Sequence, residues 1–266
     1  LIGRASAVRL FFLNQGPRDP DTTDADIAEV EALLRGYASP GTEITYSFTD
    51  DFPGAMVHEV IGKAQALNGV THAIEALAII QKVTWAAENG FDAVIQSNTF
   101  DPGVEGGRLA VRIPVIGLFR TALAVASTIC DKIAIIGPVD SDLPTIWRTI
   151  CAYHMDNRVV GLRGLGIYSA DLKKRKTEIF ERTVALVKEL IRDKGAECII
   201  PLGGKIIPYV VDPVDLEKAT GAPVLNTKVI GIQFAEMCVR NGITHSPLAY
   251  PPCPAKHEHF MQKLNH

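Results

Sequence analysis

The polar residues that follow a short apolar run, FDAVI at 91–95, are the first candidates for chemistry in this sequence. Ser97, Asn98 and Thr99 bring two hydroxyl groups and a carboxamide together at the end of this run, and Asn14 stands in the same relation to an earlier one. Such donors can hold a carboxylate or an enolate oxygen, and Ser97 can act as a nucleophile if a base is supplied. The alternative is a turn whose side chains satisfy local backbone groups.

A second candidate group follows another apolar run in the later part of the chain. Gly203 and Gly204 end this run, and Lys205 comes directly after them. A lysine in a partly dry cleft can titrate near neutrality, so Lys205 can deprotonate Ser97, abstract a substrate proton or form a Schiff base. It can equally stay charged and hold an anionic substrate, or be an exposed loop lysine. These alternatives remain open at the level of the sequence.

Length, composition and charge exclude several function classes. The chain has 266 residues, is 47% hydrophobic and 21% charged, and carries a net charge of −3. Two domains are expected at this length, and the charge gives no basic field for a nucleic acid. No apolar stretch approaches the roughly 20 residues that a bilayer-spanning helix needs. We therefore expect no nucleic-acid partner and no membrane association.

Cysteine and histidine usage argues against a metal or disulfide framework. The five cysteines, Cys130, Cys151, Cys198, Cys238 and Cys253, show no CxxC spacing, and the histidines show no ligand motif. This pattern favours a reducing cytoplasm and predicts no metal site. The Gly-Gly pair lacks the spacing of a phosphate-binding loop, so no cofactor is predicted.

Short β-rich runs alternate with long amphipathic segments, which is typical of an α/β fold with mostly parallel sheets. Strands are predicted at 8–13, 43–48, 93–97, 114–117, 132–137, 158–161, 198–202 and 223–225. Helices are predicted at 23–36, 70–89, 118–130, 141–154, 171–194 and 227–241. Asp101 is expected to cap the helix that follows it.

The chain also repeats itself. ENGFDAVIQS at 88–97 is similar to DKGAECIIPL at 193–202, and IPVIG at 113–117 is similar to APVLN at 222–226. We therefore predict two pseudo-symmetric, Rossmann-like α/β domains. Ligands in such sheets bind at the carboxyl ends of strands, so the two sheets should face one interdomain cleft. The predicted boundaries are 7–117 with 222–250 for the first domain, 118–221 for the second and 251–266 for a C-terminal tail.

With these repeats in view, nearly the whole chain resembles the aspartate/glutamate/hydantoin racemase superfamily. The DPG piece and the IPVIG strand are most similar to the hydantoin and allantoin racemase branch, whereas SNT is similar to the CNT of the amino-acid racemase branch. The pieces that carry the resemblance are Asn14, 90–95, 97–99, 101–103, 113–117 and 195–204.

The resemblance implies cofactor-independent proton transfer at a carbon next to a carbonyl, with one cysteine from each half as acid and base. Both thiols are missing here. The first cysteine position matches Ser97 or Asn98, depending on the branch used, and the second matches Gly204. By the same matching Asn14, Thr99, Gly203 and Tyr209 are substrate contacts, and Lys228 is a weaker candidate. We expect the scaffold to be kept without the two-thiol chemistry, because a serine hydroxyl is too weak an acid to replace a thiol.

Three function classes follow from this reading. The first is an isomerase or lyase that acts next to a carboxylate or a cyclic amide carbonyl, with Lys205 and a polar partner replacing the thiols. The second is a hydrolase of a small amide, imide or ester that uses Ser97 or a water near Lys205. The third is a non-catalytic protein that binds small anions. The expected partners are a small anionic or cyclic amide substrate and further copies of the chain in a homo-oligomer.

Overall fold

The computed structural model describes residues 7–18, 21–50, 70–167, 172–203, 206–253 and 256–261. The chain divides into two units, Leu1–Gly117 with Gly231–His266, and Leu118–Ile230. Each is described by itself below. Among the described residues, every helix is too short or too polar to span a bilayer.

The first unit is built on a four-stranded parallel sheet in the order β2-β1-β3-β4. Strand β1 lies in its interior and is buried over its last four residues, Leu10–Leu13. Phe11 and Leu13 pack with Ile79 and Val83 of helix α2, so one face of the sheet is closed by this helix. The elements are β1 (Val8–Leu13), α1 (Asp24–Tyr37), β2 (Thr42–Ser47), α2 (Val70–Glu88), β3 (Ala93–Gln96), α3 (Val104–Ala110) and β4 (Val115–Gly117).

The second unit contains a three-stranded parallel sheet in the order β6-β5-β7. Ile199 of its edge strand β7 also forms a parallel bridge with Val224. The core on one side of this sheet contains Ile179, Val187 and Leu190 of helix α6. The elements are α4 (Leu118–Ile129), β5 (Ile133–Gly137), α5 (Leu143–Ala152), β6 (Val159–Gly164), α6 (Lys176–Lys194), β7 (Cys198–Pro201), α7 (Pro213–Thr220) and α8 (Thr227–Arg240), which ends in the first unit, followed there by α9 (His257–Met261).

The two units share one strand order, which confirms the predicted α/β class with two parallel sheets. In each, the first strand lies in the interior, the second strand flanks it on one side and the third on the other. The fourth position beside the third strand is β4 in the first unit and the single residue Val224 in the second. The sequence repeat therefore corresponds to a repeat of topology.

The segment 222–230 belongs to the second unit, whereas the sequence predicted a return to the first at residue 222. The cause is the bridge to β7. The Leu225 amide donates to the Ile199 carbonyl (2.9 Å), and the Ile199 amide donates to the Pro223 carbonyl (2.9 Å). The predicted strand 223–225 is reduced to this bridge, and helix α8 begins directly after it.

No bounds were predicted for three short helices: α3 was expected only as the helix after Asp101, and α7 and α9 were not predicted. They span seven, eight and five residues, which is too few turns for an apolar period of 3.6 to become visible. Helix α6 begins at Lys176, later than the predicted residue 171, because a 3₁₀ turn at Lys173–Arg175 precedes it.

The proline-rich segment that starts at Pro247 packs against helix α3. Arg108 of α3 donates to the hydroxyl of Tyr250 (3.0 Å), and the Cys253 amide donates to the carbonyl of Leu109 (2.9 Å). These contacts explain why the tail groups with the first unit instead of forming a separate segment.

Candidate functional site

The polar turn after β3 is held by its own side chains. The main-chain N–H of Asn98 donates to Oε1 of Gln96 (2.7 Å), and the N–H of Phe100 donates to Oδ1 of Asn98 (2.9 Å). The N–H of Asp101 donates to the Asn98 carbonyl (3.1 Å). Ser97, Asn98 and Thr99 are all buried. The turn is therefore a fixed platform at the carboxyl edge of the first sheet, where ligands of open α/β sheets bind.

Asn14 meets this turn from the end of the neighbouring strand β1. The hydroxyl of Ser97 donates to Oδ1 of Asn14 (3.2 Å), and the main-chain N–H of Gln15 donates to the same oxygen (3.0 Å). The N–H of Ser97 donates to the carbonyl of Leu13 (2.8 Å), which continues the β1–β3 pairing into the site. The structure thus brings Asn14 and Ser97 together at the ends of two neighbouring strands.

These contacts decide which way the two carboxamides face. The oxygen atoms of Asn14 and Asn98 accept hydrogen bonds from fixed donors, which assigns oxygen and nitrogen in both groups. Neither amide nitrogen has a hydrogen-bond acceptor among the residues that the structure describes. Both nitrogens are therefore available to donate to an oxygen of a ligand.

Gln96 is a further amide at this edge that sequence reasoning missed. It is fully buried, its oxygen holds Asn98, and its Nε2 has no hydrogen-bond partner within the described part of the chain. Leaving a buried donor unsatisfied costs about 1–3 kcal/mol, so such groups call for a structural or functional reason. The only sequence signal was a glutamine in the last position of a buried strand.

Asp101 does not cap the helix that follows it, contrary to the expectation. Helix α3 has Gly103 as its N-cap and no side-chain capping bond. Asp101 instead adopts a left-handed φ of 53° and places its carboxyl group over Gly117, the last residue of β4. A Cβ atom on Gly117 would lie 2.6 Å from Cγ of Asp101, so the position accepts only glycine without a shift. Asp101 is buried, and its carboxyl group lies beside the end of β4.

In the second unit the matching strand end is Gly203. It has a φ of 83°, and a Cβ atom there would lie 2.7 Å from Cγ of Pro138, so glycine is required for both reasons. Gly204 and Lys205 lie outside the described residues, and Tyr209 is half-buried in the following turn. That the two strand ends serve one substrate stays a prediction.

Lys228 follows the bridge segment at the carboxyl edge of the second sheet, and it lies within the described residues. Asn226 ends the bridge segment, and its Oδ1 accepts from the main-chain N–H groups of Lys228 (3.1 Å) and Val229 (3.2 Å), which caps helix α8. Lys228 is 1% exposed, and in the repeat it matches Phe119, which is 0% exposed. A lysine thus occupies a core position that its counterpart fills with a phenyl ring, at the sheet edge where ligands bind.

Neither strand end carries a thiol in the described chain. Cys198 is the first residue of β7, at the amino end of the strand, and it is buried. Desolvation raises the pKa of its thiol to about 12, which keeps it protonated at neutral pH. The described residues also contain no cluster of His, Cys, Asp or Glu side chains that could hold a metal ion.

The sequence of the chain is similar to those of known proteins. The family model for the Asp/Glu/Hydantoin racemase matches residues 19–235 of the chain. A hydantoin racemase from Pseudomonas sp. (strain NS671) is 24% identical over 241 residues, which are 91% of this chain and 92% of that protein.

Two solved structures are similar in fold. Allantoin racemase from Pseudomonas fluorescens gives a TM-score of 0.77 at 24% identity, over 94% of this chain and 98% of that one. Arylmalonate decarboxylase gives a TM-score of 0.56 at 13% identity, over 91% of this chain and 96% of that one. Because the family model covers most of the sequence, the chain belongs to the Asp/Glu/hydantoin racemase family.

Proposed function

We propose that this protein is an isomerase or lyase of the racemase family that acts without the two-thiol mechanism. Its reaction centre is a carbon next to the carbonyl of a cyclic amide or next to a carboxylate. The family supports racemase-like chemistry in general terms, and the similar proteins named above include a hydantoin racemase and an allantoin racemase. The absence of a thiol at Ser97, Asn98, Gly203 and Gly204 requires a different acid and base.

The observation that carries the proposal is the pair of oriented carboxamides. Removing a proton or a carboxylate from the carbon next to a carbonyl puts negative charge on the carbonyl oxygen. The carboxamide oxygens of Asn14 and Asn98 accept hydrogen bonds that hold both groups in place. The amide nitrogens can therefore donate to the charged carbonyl oxygen of the substrate without reorganising. Donors held in advance of the reaction stabilise such charge far better than mobile water does.

The proposal assigns the base to Lys205. It follows the second strand end, where the family pattern has a cysteine, and it replaces the lost thiol with an amine. Burial lowers the pKa of a lysine, so a desolvated Lys205 can accept a proton near neutral pH. If it stays charged instead, it holds the anion and another group takes the proton.

Hydrolysis through Ser97 is the less favoured reading. The described hydrogen bond of its hydroxyl runs to Oδ1 of Asn14, and an amide oxygen is too weak a base to activate a serine. Ser97 is better placed to hold Asn14 than to attack a carbonyl.

Proton exchange tests the proposal and separates the three function classes. The protein is incubated in D₂O with allantoin, a 5-substituted hydantoin or an arylmalonate, and the products are followed by NMR. Deuterium at the ring C5, or decarboxylation with deuterium at the α-carbon, supports the proposal. Stoichiometric ring opening would instead assign a hydrolase. Saturable binding without exchange or cleavage would assign a binding protein.

A further inference from the structure

Two cysteines outside the candidate site are brought together by the backbone of the second unit. Cys130 follows helix α4, and Cys198 begins β7. Ile133, which comes three residues after Cys130, is the partner of Cys198 in the parallel β5–β7 ladder. The N–H groups of Asp131 (2.8 Å) and Lys132 (3.2 Å) both donate to Oε2 of Glu197. The Glu197 amide donates in turn to the Lys132 carbonyl (2.8 Å), so the two segments are tied directly beside both thiols.

The side chains of the pair lie close enough to interact. Helix α4 packs on β7, and each thiol influences the ionisation of the other, although burial is the larger influence and raises the pKa of both. The Cys130 thiol also donates to the Ala126 carbonyl (3.3 Å). Cys130 is half-buried and Cys198 is fully buried, so only the first of them is open to a small solute.

We propose that Cys130 and Cys198 form an oxidation site, in which hydrogen peroxide converts the two thiols into a disulfide. In the first step the Cys130 thiolate attacks one oxygen of hydrogen peroxide, the O–O bond breaks, and a sulfenic acid and hydroxide form. In the second step the Cys198 sulfur attacks the Cys130 sulfur, its proton leaves, and the hydroxyl group departs as water. Two thiols and one peroxide thus give one disulfide and two waters, with the electrons passing from sulfur to oxygen.

The environment sets the rate of this reaction. Desolvation is the main cause that raises the pKa of both thiols, and the pKa of Cys198 reaches about 12. The thiolate fraction is therefore small at neutral pH, and the rate should grow up to about tenfold per pH unit towards alkaline pH. The exposed thiols Cys151 and Cys253 should react first.

The position of the disulfide makes this inference independent of the proposed function. Cys198 lies at the amino end of β7, whereas Gly203 follows its carboxyl end, where ligands bind. Closing the loop of residues 130–198 should stabilise the fold by restricting the unfolded chain. Binding at the carboxyl edge should not change.

The test uses the full chain carrying Cys151→Ser and Cys253→Ser. It is treated with hydrogen peroxide at mildly alkaline pH, alkylated, and measured by intact mass and peptide mapping. We expect the loss of two hydrogen masses, a cross-linked peptide pair containing 130 and 198, reversal by dithiothreitol, and a thermal midpoint at least about 5 °C higher. Adding Cys130→Ser should abolish the cross-link and leave Cys198 reduced.

Three results would overturn the inference: two alkylatable thiols remaining at 130 and 198 after prolonged treatment, Cys130 trapped as a sulfinic acid, or Cys198 paired with Cys238. Circular dichroism of each variant, recorded before oxidation, shows whether a negative result reflects a misfolded chain. If Cys130→Ser misfolds, Cys130→Ala replaces it in the same assay.

Discussion

Ser97 donates its hydroxyl proton to Oδ1 of Asn14, 3.2 Å away, at the carboxyl edge of the first sheet. This bond joins the ends of two neighbouring strands and, with the bond from the Gln15 amide, fixes the position of the Asn14 oxygen, so the nitrogen can donate to a ligand. It gives Ser97 the role of a support and leaves the donation of hydrogen bonds to the two asparagines.

Replacing Ser97 and Asn98 in turn tests this division of roles. Asn98→Ala removes a donor to the developing negative charge and should lower the exchange rate by about 10²–10³-fold. Ser97→Ala removes the bond that supports Asn14 but no donor to the developing charge, and should cost about tenfold or less. The control is Asn241→Ala, which changes an exposed residue after helix α8. A larger loss in Ser97→Ala than in Asn98→Ala would make the serine a nucleophile.

The close approach of Asp101 to Gly117 predicts a specific glycine effect. Gly117→Ala places a methyl group 2.6 Å from Cγ of Asp101, so the carboxyl group must move. We expect a loss of about 1–3 kcal/mol in the free energy of unfolding, measured with urea, together with weaker ligand binding. Gly36→Ala is the matched control, because nothing lies within 4 Å of its Cβ in helix α1. That change should stabilise the protein by about 0.5–1 kcal/mol. Equal effects of the two changes would contradict the observed contact.

Glu236 predicts a pH dependence of stability. Burial raises the pKa of this carboxyl group, but hydrogen bonds led by that from the Ser39 hydroxyl (2.6 Å) outweigh it and leave the pKa below the usual range. A lowered pKa in the folded state stabilises the protein above the unfolded-state pKa of about 4.3, and this stabilisation disappears as the pH falls through the folded value.

Glu236→Gln should therefore destabilise the protein on the order of 2 kcal/mol at pH 7, with the difference from wild type shrinking in acid. Urea unfolding at several pH values measures it, with Glu217→Gln as an exposed control. A difference that stays constant down to about pH 3 would show that the charge of Glu236 is not what matters.

Much of the fold could be predicted because the apolar pattern of each half is strong. The run 10–13 is continuously apolar, the segment at 70–88 is long and rich in apolar residues, and the repeat of 113–117 at 222–226 marked a second strand-like segment. The boundary at 231 could not be predicted. It depends on which sheet Val224 joins, and the repeat at 222–226 marks a strand-like segment without showing the sheet to which it belongs.

The polar turn after β3 was predictable from the sequence, but its contacts were not. Polar residues after a buried strand indicated the turn at 97–99, yet the direction of each carboxamide depends on bonds to Gln15 and Phe100. The burial of Lys228 and the open donor of Gln96 follow from tertiary packing. The cap predicted for Asp101 was wrong: helix α3 has Gly103 as its N-cap, and the carboxyl group of Asp101 lies beside Gly117.

Lys205 carries the remaining chemical assignment. Lys205→Met should weaken binding or turnover of an acidic or imide-like substrate severely while leaving the fold intact. If Lys205 is the base, the activity of the wild type should fall on the acidic side with an apparent pKa well below a lysine's usual ~10.4. Lys218→Met, at an exposed position of α7, should change neither. Near wild-type binding and turnover in Lys205→Met would return this residue to a surface role.

The most direct measurement is the exchange of the C5 proton of allantoin or a 5-substituted hydantoin in D₂O, before and after every thiol is removed. A variant with all five cysteines replaced by alanine, checked for folding by circular dichroism, should keep the wild-type exchange rate within about threefold, because no thiol takes part. Its exchange should fall by about 10²-fold or more when Asn98→Ala is added. Exchange that disappears with the cysteines while the fold persists, or that is absent from the wild type on every such ring, would contradict a thiol-independent racemase-family enzyme.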